Sequence, residues 1–263
     1  MDLGITGKVA LVGASAGGLG LATACRLAME GCHVAICDKD AARLPDAVKA
    51  VEAAGSNNPV KAYPADLTRA ADIDALVDRV HSDLGSVAIL VTNSGGPPPG
   101  TFADASDEKW QRGYELTFLS AVRLIRLVLP DMKAAGWGRI VNFASRALKE
   151  PIANLMISNA VRLAVAGMAK TLAAEVAADG ITVNTIGPGP TLTDRAVALA
   201  AGRAKKKGIS VEAELAQTAA RIPRGKLATP EEQAAAAAFL ASDLAGHING
   251  VALLVDGGET RAL

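Results

Sequence analysis

Lys8-Val9-Ala10-Leu11-Val12-Gly13-Ala14-Ser15-Ala16-Gly17-Gly18-Leu19-Gly20 is the stretch that decides the fold. A short apolar run empties into a glycine cluster, and a helical pattern then continues as far as Gly31. That is how a buried strand passes into the helix that carries the chain back across a parallel sheet. Similar runs stand at 33–38, 60–65, 87–91, 139–143, 181–186 and 251–255, bounded by polar residues or glycine. Between them lie helical patterns. Thr68 is the expected N-cap of one, with Ile73, Leu76, Val77, Val80 and Leu84 along its apolar face and Gly85 at its end. Ser106, Asp107 and Glu108 open a second that runs towards Gly136, a third runs to about Asp179 before Gly180, and Thr229-Pro230-Glu231-Glu232 opens a fourth. Strands alternating with helices imply right-handed crossovers and a parallel sheet wrapped on both faces, so the expectation is one doubly wound α/β domain over 1–263.

Composition narrows the function. The 263 residues carry 27 Lys plus Arg against 27 Asp plus Glu, and this balance excludes a surface built for nucleic acid or an anionic membrane. Half the residues are apolar, enough for a large core. Cys25, Cys32 and Cys37 match no zinc spacing and read as small core residues in a reducing compartment. No metal-ligand pattern is present, and His33, His81 and His247 take structural roles by default. The first eight residues show no basic-then-apolar leader, and no apolar run approaches the ~18 residues of a membrane span, so the expectation is a cytoplasmic protein.

A glycine-rich turn between a first strand and its helix lets main-chain N–H groups meet a pyrophosphate, the nucleotide site of a Rossmann-type sheet. Gly13, Ser15, Gly18, Leu19 and Gly20 are the candidates for that turn. Asp38 ends the second strand, where a carboxylate bonds an adenine ribose 2′-hydroxyl; the alternative is that it merely ends the strand. With Asp66-Leu67, Thr92-Asn93-Ser94-Gly95, Pro188-Gly189 and Asp256-Gly257-Gly258, these residues resemble the short-chain dehydrogenases/reductases over essentially the whole chain, in the subgroup similar to 3-oxoacyl-acyl-carrier-protein reductases. The resemblance implies NAD(H), favoured over NADP(H) by Asp38, and adds Asp66, Leu67, Asn93, Gly95, Pro188, Gly189 and Thr191 to the cofactor site.

The chain also departs from the family pattern. Ala14 stands where the family's turn has its first glycine, which should restrict a positive φ and place a Cβ near the phosphates. Ser145 falls on the family's catalytic Ser, but Ser158 stands at the Tyr, Arg162 at the Lys and Thr117 at the Asn. Positions 158 and 162 lie one helical turn apart, so both can face one cleft. A serine hydroxyl is far less acidic than a phenol and Arg stays protonated, so this pair is no ordinary acid–base relay. Ser145 is therefore expected to bind a substrate oxygen, with Ser158 and Arg162 donating to it. Lys149 and Tyr114 are weaker substitutes, each more simply read as a loop lysine and a packing residue.

Two further stretches bear on the substrate. Gly95-Gly96-Pro97-Pro98-Pro99-Gly100 follows the fourth strand as a stiff wall or a rigid connector. Residues 190–226 fall on the family's substrate lid. From 195 to 226 they hold eight basic residues against two acids, and Arg221 and Arg224 around Pro223 suggest a grip on an anionic substrate; a solvated surface is the plainer reading. Two functions remain open: an atypical oxidoreductase acting on a small carbonyl or alcohol, anionic or acyl-linked substrates included, and a nucleotide-binding or oligomer-scaffolding homologue without turnover. The helices around 116–132 and 155–172 resemble the family's assembly surfaces and imply a homotetramer or homodimer.

Overall fold

The computed structural model describes residues 1–55 and 58–262. Seven parallel strands form one sheet: β1 (Val9–Val12), β2 (His33–Asp38), β3 (Val60–Pro64), β4 (Ile89–Thr92), β5 (Gly138–Phe143), β6 (Ile181–Pro188) and β7 (Ala252–Val255). Their spatial order is β3-β2-β1-β4-β5-β6-β7. The order reverses between β1 and β4, and there the carboxyl ends of the strands open a crevice. Register is set by pairs such as Val12 with Ile36 and Val91 with Val141.

The strand sequences explain why both faces are covered. Successive side chains point to opposite faces. In β1 and β2, Ala10, Val12, Val34 and Ile36 join a core under α1 (Gly18–Met29), α2 (Leu44–Ala53) and, near the chain end, the helix Pro230–Leu240. Leu11, Ala35 and Leu90 point the other way, into a second core with Ile73 and Leu76 of α3 (Ala70–Leu84). Both sets are apolar because neither face of these strands meets water, and β1 and β4 therefore lack hydrophobic–polar alternation.

On that second face, α4 (Asp107–Tyr114) passes through a π-turn at Glu115–Leu119 into α5 (Ser120–Ala135), which Gly136 ends in the left-handed region at φ 62°. Beside α5 lies α6 (Met156–Glu175), followed by a short 3₁₀ turn ending at Asp179. After β6, α7 (Asp194–Lys207) and α8 (Val211–Ala219) form the segment expected to be a lid, and α9 (Pro230–Leu240) leads to β7. Thr229 and Glu232 form a reciprocal cap at the start of α9. Thr68 is not the cap expected of it: α3 begins two residues later behind Arg69, and Thr68 instead donates its N–H and hydroxyl to the Asp66 carboxylate, at 2.9 and 2.8 Å. The turn captured the hydroxyl because Asp66, two residues back, offers a stronger, charged acceptor. Among the described residues no helix is long and apolar enough to cross a membrane, and no cluster of His, Cys, Asp or Glu is arranged to hold a metal. The three cysteines are free, with Cys32 and Cys37 buried and Cys25 half-buried.

Candidate active site

A cleft of about 690 Å³ opens at the carboxyl edge of the sheet, over the β1–β4 reversal. Its first end is made largely of main chain. α1 has no side-chain N-cap, so the N–H groups of its first turn remain available, and Gly18 and Leu19 line the cleft. A negative group placed there meets both these donors and the positive end of the helix.

The turn that precedes α1 is held from below. Asn93, just past β4, donates both amide bonds to the carbonyls of Gly13 and Ala14 at 3.2 Å. Ala14 adopts φ 44°, so the alanine takes the left-handed conformation that glycine favours rather than redirecting the loop. Such a residue costs about 1 to 2 kcal/mol locally, and the Asn93 clamp is what over-determines it. Ser15 is buried: its hydroxyl donates to Val12 O at 2.8 Å and accepts from Cys37 N–H at 3.0 Å, tying the ends of β1 and β2 together. Gly13 and Gly20 have structural reasons of their own, since a Cβ on Gly13 would strike the Asn93 carbonyl and one on Gly20 would strike the Ala14 carbonyl. Gly13, Ser15 and Gly20 therefore shape the turn from behind and do not line the cleft, whereas Gly18, Leu19, Asp38, Asp66, Leu67, Asn93, Gly95, Pro188, Gly189 and Thr191 do.

Asp38 reaches the cleft while accepting from the N–H of Ala16 at 3.2 Å and of Asp40 at 3.0 Å. Lys39 and Arg43 line the same corner. Arg43 lies over Gly17, where a Cβ would meet its guanidinium at 2.9 Å, and it pairs with Asp194 at 3.0 Å. Bonds from the Thr68 N–H and hydroxyl hold the Asp66 carboxyl below its usual range.

The second end of the cleft is made of side chains. Ser145 follows β5, and its Oγ accepts from Ala147 N–H at 3.2 Å. Ser158, in the first turn of α6, is buried, and its Oγ accepts from Arg162 Nε at 3.3 Å. Neither hydroxyl hydrogen has an acceptor among the described residues, so both remain for a ligand oxygen in the cleft they share.

Arg162 corrects one expectation. Its Nη1 donates to Phe143 O at 3.0 Å and Ala144 O at 2.7 Å, and its Nη2 to Gly95 O at 2.6 Å. With the bond to Ser158, four of its five N–H groups are taken by the protein. The guanidinium staples the end of β5 to the loop after β4, leaving one Nη2 hydrogen without an acceptor among the described residues. Burial, and then the nearby Arg195, draws its pKa down to about 10.

Arg195, at the start of α7, was visible in the sequence only as one member of a basic stretch. It turns into the cleft and donates to Gly96 O at 2.8 Å and Pro97 O at 3.1 Å. The proline loop is thus a row of carbonyl acceptors for two arginines. Four other members of the basic stretch are paired: Arg203 and Lys207 share Glu214 at 2.7 and 2.6 Å, and Arg224 and Lys226 share Glu232 at 3.1 and 3.3 Å. Arg221 and Arg224 do not line the cleft, so the grip expected of them is absent. Arg43 was missed altogether, because nothing in its local sequence says that a 3₁₀ turn after β2 will fold it back over Gly17. Lys149 and the three histidines do not line the cleft, and Tyr114 stacks on Phe118 at 5.3 Å.

Comparison with known proteins agrees with this architecture. Residues 13–260 match a family profile described as enoyl-(acyl carrier protein) reductase. The chain is 35% identical to a D-beta-hydroxybutyrate dehydrogenase of Cupriavidus necator, covering 97% of this chain and 98% of that one. It is 34% identical to a D-threitol dehydrogenase of Mycolicibacterium smegmatis, covering 98% and 95%. The structure of L-sorbose reductase from Gluconobacter frateurii, complexed with NADPH and L-sorbose, superimposes with a TM-score of 0.95 at 37% identity and covers both chains fully. The crevice at the strand reversal, the uncapped first helix and these relatives lead to one conclusion: the chain belongs to the short-chain dehydrogenase/reductase family of nicotinamide-dependent oxidoreductases.

Proposed function

We propose that the protein interconverts a small carbonyl compound and its alcohol, using NAD(H) in preference to NADP(H), at a site that lacks the family's usual Tyr and Lys. The observation that carries this reading is that Ser145 and Ser158 present two unspent hydroxyl hydrogens to the same cleft that holds the glycine turn. The residues present fit a dinucleotide: an open helix start for the pyrophosphate, Gly18 with no Cβ at φ 55°, and Asp38 for a ribose hydroxyl. When bound, the nicotinamide supplies or accepts a hydride. Ser145 and Ser158 orient the substrate oxygen, and the Arg162 charge behind Ser158 stabilises negative charge developing there. No His, Tyr or Cys lines the cleft among the described residues, so the proton exchanged with that oxygen comes from water.

Asp38 disfavours a 2′-phosphate, and Lys39 and Arg43 offset it in part. Residues 190–226 act as the substrate lid, fastened at Arg43–Asp194 and at Arg195 on the proline loop. The exposed apolar residues Tyr114, Met156 and Leu163 on α4 and α6 support a homodimer or homotetramer, and the free thiols suit the cytoplasm. One observation favours a second reading, cofactor binding without turnover: Arg162 spends most of its donors on the fold. Fluorescence titration with NADH and NADPH followed by a ketone and alcohol turnover screen separates the two. NADH binding with turnover is the expected result, binding alone selects the second reading, and no binding overturns both.

A further inference from the structure

Two guanidiniums meet at one point of the cleft without a carboxylate between them. A Cβ built on Gly96 would lie 3.0 Å from Arg162 Nη2 and 3.5 Å from Arg195 Nη2. Each arginine is held by main-chain carbonyls, Arg162 by Phe143, Ala144 and Gly95, and Arg195 by Gly96 and Pro97. Neither forms an ion pair among the described residues. The nearest acid in sequence, Asp194, is turned to Arg43. Carbonyl dipoles fix both groups in place but leave two positive charges side by side. The Nε and Nη1 hydrogens of Arg195 and one Nη2 hydrogen of Arg162 have no acceptor among the described residues. Four members of the surrounding basic stretch differ in kind, because Arg203 and Lys207 are matched to Glu214 and Arg224 and Lys226 to Glu232.

We infer that Arg162 and Arg195 form the recognition site for an anionic group, a carboxylate or phosphate, carried by the substrate. This rests on the reading of the cleft as an oxidoreductase site and narrows it to an acidic carbonyl or hydroxy compound. Guanidinium suits the task, being always charged and able to offer more than one bond to two oxygens. Ser145 and Ser158 would then take the reacting oxygen while the arginines take the acid, so two separate contacts fix the substrate's orientation. The wall of Gly96, Pro97 and Pro98 itself adds few donors on that side.

The same chemistry has a second source in the cofactor's own phosphates, and the test distinguishes them. Acetoacetate, its neutral methyl ester and inorganic phosphate are titrated into the NADH-loaded protein at fixed ionic strength, with thermal shift and NADH fluorescence as readouts. Wild type is expected to bind acetoacetate at least tenfold more tightly than the ester, and phosphate is expected to compete. Arg195→Gln should lose that tenfold preference and leave the NADH dissociation constant within about threefold. Arg224→Gln, outside the cleft, should change neither. Equal binding of acid and ester by wild type overturns the inference, and so does an Arg195→Gln variant that loses NADH and acetoacetate together, which would give the pair to the cofactor. Acid-selective binding without turnover would leave the anion site standing while removing the oxidoreductase reading.

Discussion

The two ends of the cleft are built from different materials. The turn at α1 presents main-chain N–H groups, and what matters there is the path of the chain. Ala14 departs from the family's glycine yet adopts φ 44°, with Asn93 holding both neighbouring carbonyls, so the path survives the substitution. The end at β5 and α6 presents side chains, and there the proposed function rests on Ser158 and Arg162 themselves. A binding site made of backbone tolerates replacement provided something fixes the dihedral angles, whereas a reaction made by side chains depends on the identity of each one.

The largest effect that would break this contrast lies at Arg162. Arg162→Ala leaves the carbonyls of Phe143, Ala144 and Gly95 and the Ser158 hydroxyl without their charged donor, at about 1 to 3 kcal/mol for each group left unpaired and partly rehydrated. A net loss of about 3 kcal/mol is expected, a fall in Tm of roughly 6 to 12 °C by calorimetry. A change under about 2 °C would mean that the staple contributes little. Next in size, Ser145→Ala and Ser158→Ala should each lower kcat by about 10- to 100-fold with NADH affinity unchanged, if each hydroxyl steadies the reacting oxygen. Equal losses in NADH binding would move these serines to the cofactor.

How much of this was legible beforehand follows the same division. The sheet could be read because parallel strands are continuous apolar runs and their crossovers end at glycines, and Gly85, Gly136 and Gly180 do close the turns expected of them. Asp38, Asp66 and Ser145 could be placed because each ends a strand or lies within two residues of its end, at the edge where ligands bind. Arg195 and Arg43 could not. Their entry into the cleft depends on how the residues after β6 and β2 fold back over the glycine turn, and local sequence does not encode that return. Arg221 and Arg224 looked functional by charge count alone, and a single acid, Glu232, on the next helix takes Arg224 and Lys226 out of play. The reach of Arg162 to three carbonyls on two loops was likewise invisible, because spacing on α6 gives its direction but not its partners.

Smaller effects sharpen the comparison. Asp38→Ala should narrow the NADH-over-NADPH preference by about tenfold, as expected for removing one charge from a partly exposed ribose site, measured by paired dissociation constants at matched salt. A preference that stays put would leave Asp38 as a brace for Ala16. Because among the described residues no side chain that ordinarily titrates near neutrality lines the cleft, kcat should vary less than about threefold between pH 6 and pH 8.5. A bell-shaped profile would reveal an acid or base the cleft does not display. Smallest of all, Ala14→Gly should alter stability by under about 1 kcal/mol and NADH affinity by less than about threefold, since relief of the left-handed alanine is offset by a freer unfolded chain.

The central claim is the proposal that hydride exchange takes place at a site where Ser158 and a stapled Arg162, beside Ser145, stand in for the family's Tyr and Lys. Its most direct test follows deuterium from NADH labelled at carbon 4 into the products of a panel of 2-oxo acids, 3-oxo acids and ketoses, using wild type and the Ser145→Ala, Ser158→Ala double variant. Deuterium on the carbinol carbon of at least one oxo acid with wild type, and at least tenfold less with the double variant, is the outcome this account requires. Tight NADH binding with no label in any product, or equal label from the double variant, would contradict it.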